Sequence, residues 1–140
     1  MEYRSKSAAV FHLLVVLCIG CGGAESYVKG QITLDGNVLP EATATFYPVA
    51  GGGSAYGTTD DQGNYHLKTG SLAGLASGEY RVVVVALEPI PKDWPRGQLP
   101  PIGKRVSPER YARPETTDLV VNITPGSNVI DLPLTSEPKS

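Results

Sequence analysis

Glu79-Tyr80-Arg81-Val82-Val83-Val84-Val85-Ala86-Leu87 is the stretch that decides the fold. Four consecutive valines leave no polar face. Their branched side chains lose rotamer freedom in a helix but pack well on a pleated surface. A short run this apolar fits a strand covered on both faces or lying at the centre of a sheet. A strand of that kind needs partners on either side, and the flanking sequence supplies them.

Working toward the N-terminus, Asn64 to Lys68 alternates, with Tyr65 and Leu67 facing in and Asn64, His66 and Lys68 facing solvent. Ala55 to Thr59 and Ala42 to Val49 read as two more strands. Tyr27 to Leu34 sets Val28, Ile32 and Leu34, with Gly30, against Lys29, Gln31 and Thr33. Toward the C-terminus, Asp118 to Thr124 alternates through Leu119, Val121 and Ile123, and Asn128 to Leu134 does so through Ile130, Leu132 and Leu134. Turn residues punctuate these runs: Asp35-Gly36-Asn37, Gly51-Gly52-Gly53-Ser54, Asp60-Asp61-Gln62-Gly63 and Pro125-Gly126. Pro133 lacks an N–H for a ladder, which puts the last strand at a sheet edge. No window carries a helical period. The expectation is an all-β domain over residues 27–134 with seven strands.

Residues 88–115 interrupt the pattern. Proline recurs through them, and Pro89, Pro91, Pro95, Pro100 and Pro101 surround Trp94, the chain's single tryptophan, with Tyr111 further on. Such a stiff loop either presents a recognition surface, with Trp94 and Tyr111 as its partner-binding residues, or folds Trp94 back over a sheet face.

The N-terminus is different in kind. Arg4 and Lys6 precede an apolar run from Ala8 to Ile19 broken only by His12, the layout of a secretory signal. The run is shorter than the ~20 residues a membrane-spanning helix needs. Its end, Leu17-Cys18-Ile19-Gly20-Cys21, resembles the lipobox of bacterial lipoproteins, in which a small residue precedes a cysteine that is lipidated and becomes the new N-terminus. Gly20 and Cys21 match that pattern, whereas Cys18 stands where leucine is usual. The resemblance implies a signal peptide over residues 1–20, lipidation at Cys21, a tether over 21–26 and a membrane anchor, since each buried CH₂ adds ~0.8 kcal/mol of membrane affinity. The other reading is cleavage near Gly23 or Ala24 and free secretion. A Cys18–Cys21 disulfide would straddle the lipobox cleavage, and the chain has no other cysteine.

Of the 12 basic and 14 acidic residues, removal of Glu2, Arg4 and Lys6 leaves 10 and 13, a net charge of −3. Nucleic-acid binding finds no basic support in that balance.

The order of the motifs carries a family likeness. The opening strand with Val28-Lys29-Gly30, the hairpin Thr59-Asp60-Asp61-Gln62-Gly63-Asn64-Tyr65, the entry Gly78-Glu79-Tyr80-Arg81-Val82 and the closing Pro125-Gly126-Ser127-Asn128-Val129-Ile130-Asp131-Leu132 together resemble carboxypeptidase regulatory-like domains. That likeness covers nearly all of residues 27–134. It implies a seven-stranded Ig-like or transthyretin-like (prealbumin-like) β-sandwich, an accessory or structural module without catalytic residues of its own.

The residues themselves offer little chemistry. Beyond the signal segment the chain has one histidine, His66, whose strand-face neighbours are Asn64 and Lys68, whereas a zinc site needs three or four converging ligands. No Gly-x-Ser-x-Gly elbow presents a nucleophile. Asp60, Asp61 and Asn64 lack the alternating acidic pattern of a calcium loop and read as a turn. Asn122-Ile123-Thr124 matches a glycosylation sequon but falls mid-strand in a chain whose lipobox is bacterial. No catalytic residue, metal or cofactor is expected, and residues 135–140 form a short tail. The expected function is that of a non-catalytic, lipid-anchored protein of the bacterial cell envelope, on its periplasmic face or the cell surface, with a protein or glycan partner. The other functional readings are an oligomeric, transthyretin-like small-ligand binder and an accessory domain of an envelope hydrolase.

Overall fold

The computed structural model describes residues 26–68 and 75–137. The signal segment 1–20, the lipidation site Cys21, tether residues 22–25 and tail residues 138–140 lie outside the described residues.

The described chain is all-β, arranged as two sheets. In the first, β1 (Ser26–Leu34) is central. The short β2 (Asn37–Val38) and β5 (Asn64–His66) pair antiparallel with it along one side. Along the other side run β8 (Gly126–Val129) and β9 (Leu132–Leu134), both parallel to it. The second sheet has the order β4 (Ala55–Thr58), β3 (Thr43–Pro48), β6 (Gly78–Val85), β7 (Val120–Ile123), all antiparallel. β6 thus lies between β3 and β7, but its valines pair along β3 only, since β7 pairs with Gly78–Arg81 and Val82 is met beyond it by the Leu119 carbonyl and the Thr117 hydroxyl. Val83 on the far face is buried as well as Val82 and Val84.

Both sheets close on one apolar cluster. Val28, Ile32, Tyr65, Leu132 and Leu134 enter it from the first sheet, and Ala44, Phe46, Tyr80, Val82, Val84 and Ile123 from the second. The Phe46 ring joins the two layers, with its centroid 6.2 Å from that of Tyr65 and 6.4 Å from that of Tyr80. These are tilted contacts of the kind aromatic quadrupoles favour.

Three features depart from the alternation pattern. First, Asp35 (φ 50°) and Gly36 (φ 82°) form a two-residue turn that folds Asn37–Val38 back onto β1. Positive φ at both central positions matches the right-handed twist of a hairpin, and the turn adds a strand too short to register as a period.

Second, the expected strand Asn128 to Leu134 is two strands. Val129 pairs with Lys29 and Leu132 with Ile32, so one parallel register runs across a gap at Ile130-Asp131. At the gap the Ile130 carbonyl turns toward Gly30, where any Cβ would overlap it. The Tyr65 hydroxyl donates to that carbonyl (2.6 Å), and Asp131 Oδ1 accepts the Gln31 N–H (2.9 Å). Side chains complete the hydrogen bonding that the backbone interrupts.

Third, residues 88–115 are structured in part. Glu109–Ala112 form a 3₁₀ turn whose Tyr111 is buried in the core. Within the segment Ser107 Oγ accepts the Ala86 N–H (2.9 Å), and just beyond it Thr117 Oγ1 donates to the Val82 carbonyl (2.7 Å).

The two ends of the sandwich are distinguishable. β1 begins beside Leu75, beside the start of β8 and near the start of β6. At the opposite end β1 finishes, β6 finishes and the C-terminal tail leaves. There Asp35 accepts the Ser136 N–H (2.9 Å) and hydroxyl, and Arg110 donates to the carbonyls of Thr135, Ser136 and Glu137. The Arg110 guanidinium lies 4.4 Å from the centroid of the Tyr111 ring, a cation–π arrangement.

Candidate functional site

Where β6 ends, the chain continues into a projecting ribbon. The Glu88 N–H donates to the Lys104 carbonyl (2.8 Å) and the Val106 N–H to the Ala86 carbonyl (2.8 Å), with Leu87 opposite Arg105. Two turns shape the tip: the Trp94 N–H donates to the Pro91 carbonyl (3.0 Å) and the Gln98 N–H to the Pro95 carbonyl (3.4 Å). Proline restricts φ at these turns and so reduces the freedom lost on ordering them.

The ribbon exposes apolar side chains. Leu99 and Ile102 are each 93% exposed, and Ile90 and Leu87 are also on the surface. A single exposed aliphatic residue is ordinary; here four lie on one projection, beside prolines. Between the ribbon and the end of the second sheet runs an open groove of about 560 Å³. Its walls are Val85, Leu87, Ile90 and Ile102 with the rings of Pro89, Pro100 and Pro101, and its charged members are Glu41 and Glu88.

Glu41 is held there in a left-handed conformation (φ 55°), its N–H donating to the Thr59 carbonyl (3.2 Å). Outside glycine, asparagine and aspartate that conformation is uncommon. Among the described residues the side-chain ion pair is Arg113–Glu109 at 3.7 Å, so no cation is matched to Glu41 or Glu88.

A second depression, of about 490 Å³, lies on the outer face of the first sheet around Lys29, Gln31, Asp60, Asn64, His66 and Asp131. His66 is exposed opposite Lys29. Asp60 is occupied by its own turn: Oδ1 accepts the N–H groups of Gln62 and Asn64 (both 2.9 Å), and the Asn64 bond first of all holds the carboxyl below its ordinary range. Burial pushes the Tyr65 hydroxyl well above its ordinary range, and it donates to the Ile130 carbonyl. Among the described residues no three His, Cys, Asp or Glu side chains converge as metal ligands.

Of the residues singled out in the sequence, Trp94 is half-buried on the ribbon, its indole N–H donating to the Gln98 carbonyl (3.3 Å). It is not among the side chains packed on the core. Tyr111 is 1% exposed, and its hydroxyl accepts from Arg110 Nη2 (2.8 Å) and from the Thr135 N–H (3.2 Å), so the structure places it beneath the surface as a packing residue and not on a recognition face. The two therefore do not share a site. The loop's exposed aliphatic residues include Ile90, Leu99 and Ile102. Their signal was Leu99-Pro100-Pro101-Ile102, aliphatic residues fixed by prolines with no alternation to bury them.

Comparison with protein-family models, with curated proteins and with solved structures finds no match to this chain.

Proposed function

We propose that this chain is a lipid-anchored, non-catalytic β-sandwich of the bacterial cell envelope that meets a partner through the ribbon at its far end. The observation that carries this reading is the placement of Leu99 and Ile102, fully solvated, on the end of the sandwich opposite Ser26. Ser26 is five residues beyond Cys21, so a lipid on Cys21 would hold the start of β1 toward the bilayer and leave the ribbon facing outward. The order of strands and turns supports a seven-stranded Ig-like or transthyretin-like sandwich of the carboxypeptidase regulatory-like kind, in which β2 is a turn extension and β8 and β9 count as one interrupted strand.

The test is fractionation in the native host. Globomycin, which blocks lipoprotein signal-peptide cleavage, is expected to leave a larger precursor, and Cys21→Ser is expected to release the protein from the membrane fraction. Unchanged size and unchanged partition in both experiments would discard the lipid anchor.

A further inference from the structure

The groove beneath the ribbon narrows the identity of the partner. Most of its lining is aliphatic or prolyl, a surface that sheds water readily, with Thr43, Glu41 and Glu88 as its polar side chains. Its two charged members are both carboxylates, whereas the ribbon's cations, Lys92, Arg96, Lys104 and Arg105, do not line it. An anionic lipid headgroup is therefore mismatched to the groove, and a cation is matched. Glu41 is held by its backbone in an uncommon conformation at the groove's margin, and neither it nor Glu88 has a cationic partner among the described residues.

We infer that this groove receives an extended segment of a partner protein, aliphatic or proline-rich, bearing a lysine or arginine that pairs with Glu41 and Glu88. The inference rests on reading the far end as the binding end, and it stands whether or not Cys21 carries lipid. A segment already extended by proline loses little freedom on docking, and the ribbon's own prolines lower the cost on this side too. Aliphatic contacts supply the attraction while the two carboxylates select the charge of the incoming segment and reject an acidic one.

The protein exported by its host is purified from whichever fraction holds it and titrated with a fluorescein-labelled octapeptide that alternates leucine and proline around a central lysine. The same peptide with glutamate in place of the lysine is the control, and vesicles of equimolar phosphatidylcholine and phosphatidylglycerol form a third arm. The lysine peptide is expected to bind about tenfold more tightly than the glutamate peptide. Ile102→Ser is expected to weaken it by about tenfold with no change in melting temperature, and Glu41→Gln combined with Glu88→Gln to bring the two peptides within about twofold of each other. Equal affinity for the two peptides, absence of saturation below about 1 mM, or an unaffected Ile102→Ser variant would overturn the proposal. So would vesicle binding abolished by Ile102→Ser without peptide binding, which would make the occupant a lipid. Fractionation of the Cys21→Ser variant reports on the anchor alone, so failure of one reading does not conceal failure of the other.

Discussion

Two regions of this molecule spend the same kinds of side chain in opposite ways. Around the Gly30–Tyr65–Ile130 junction, aliphatic and aromatic groups are enclosed between two sheets, and even the interrupted ladder is completed by Tyr65 and Asp131. On the ribbon, Leu99 and Ile102 are as apolar as Ile32 and Leu132 yet stand in water. Residue type does not distinguish the two regions; enclosure does. Stability is expected to depend on the first region, and binding on the second.

The largest test of that contrast lies in the junction's core. Phe46→Ala removes the ring that joins the layers and should destabilise by about 3–5 kcal/mol in urea unfolding, since the surrounding sheets collapse only partly into the space. Gly30→Ala puts a Cβ into the Ile130 carbonyl and must push β1 away from β8 and β9. A loss of about 3 kcal/mol or more is expected from that backbone shift. If either variant unfolds at the wild-type urea midpoint, the junction does not hold the sheets together as described.

A gentler cut is Tyr65→Phe. It keeps the ring against Phe46 but removes the donor to the Ile130 carbonyl, so about 1–2 kcal/mol should be lost at neutral pH. The same hydroxyl gives an alkaline signature. Because burial raises its pKa in the folded state, its contribution is complete below the unfolded value near 10 and declines as the pH rises beyond it. Tyr65→Phe should therefore also flatten the loss of stability above about pH 10.

How much of this contrast was legible in the sequence follows from where its causes lie. The faces of β1 and β5 were readable because alternation is a local consequence of burying one side of a strand, and β6 was readable from the opposite signal, an apolar run with no polar face. The exposed His66 and the buried Tyr65 and Leu67 fell out of the same rule. The parallel pairing of β8 and β9 with β1 was not readable, because it joins residues about 100 positions apart by backbone bonds that any side chain permits. The burial of Tyr111 was not readable for a related reason: its loop carries no alternation, and only the 3₁₀ turn and the Arg110 contacts draw it inward. The groove needed Glu41 and Ile102 to meet, and nothing local in the sequence joins them.

Acid provides a smaller probe. Asp35 and Asp60 are both held below their ordinary range, Asp35 chiefly by the Ser136 hydroxyl and Asp60 chiefly by the Asn64 N–H. A carboxyl whose folded pKa is depressed contributes above its unfolded value, near 4, and loses that contribution as the pH falls through its folded value. Stability should thus decline below about pH 4. Asp60→Asn, which keeps a turn acceptor without the charge, should shallow that decline, measured as urea midpoint against pH. An unchanged acid profile would show that the Asp60 turn gains nothing from ionisation.

The smallest expected effect is the one that decides the contrast. Leu99→Ser and Ile102→Ser remove side chains that make no enclosed contact, so each should move the unfolding free energy by no more than about 0.5 kcal/mol. A loss above about 2 kcal/mol, the range of a buried aliphatic residue, would mean that the ribbon folds onto the body in solution and belongs to the core. Near-neutral stability says the opposite. Side chains whose removal leaves the fold untouched are free to be spent on a partner, which is what the proposed reading of the ribbon requires of them.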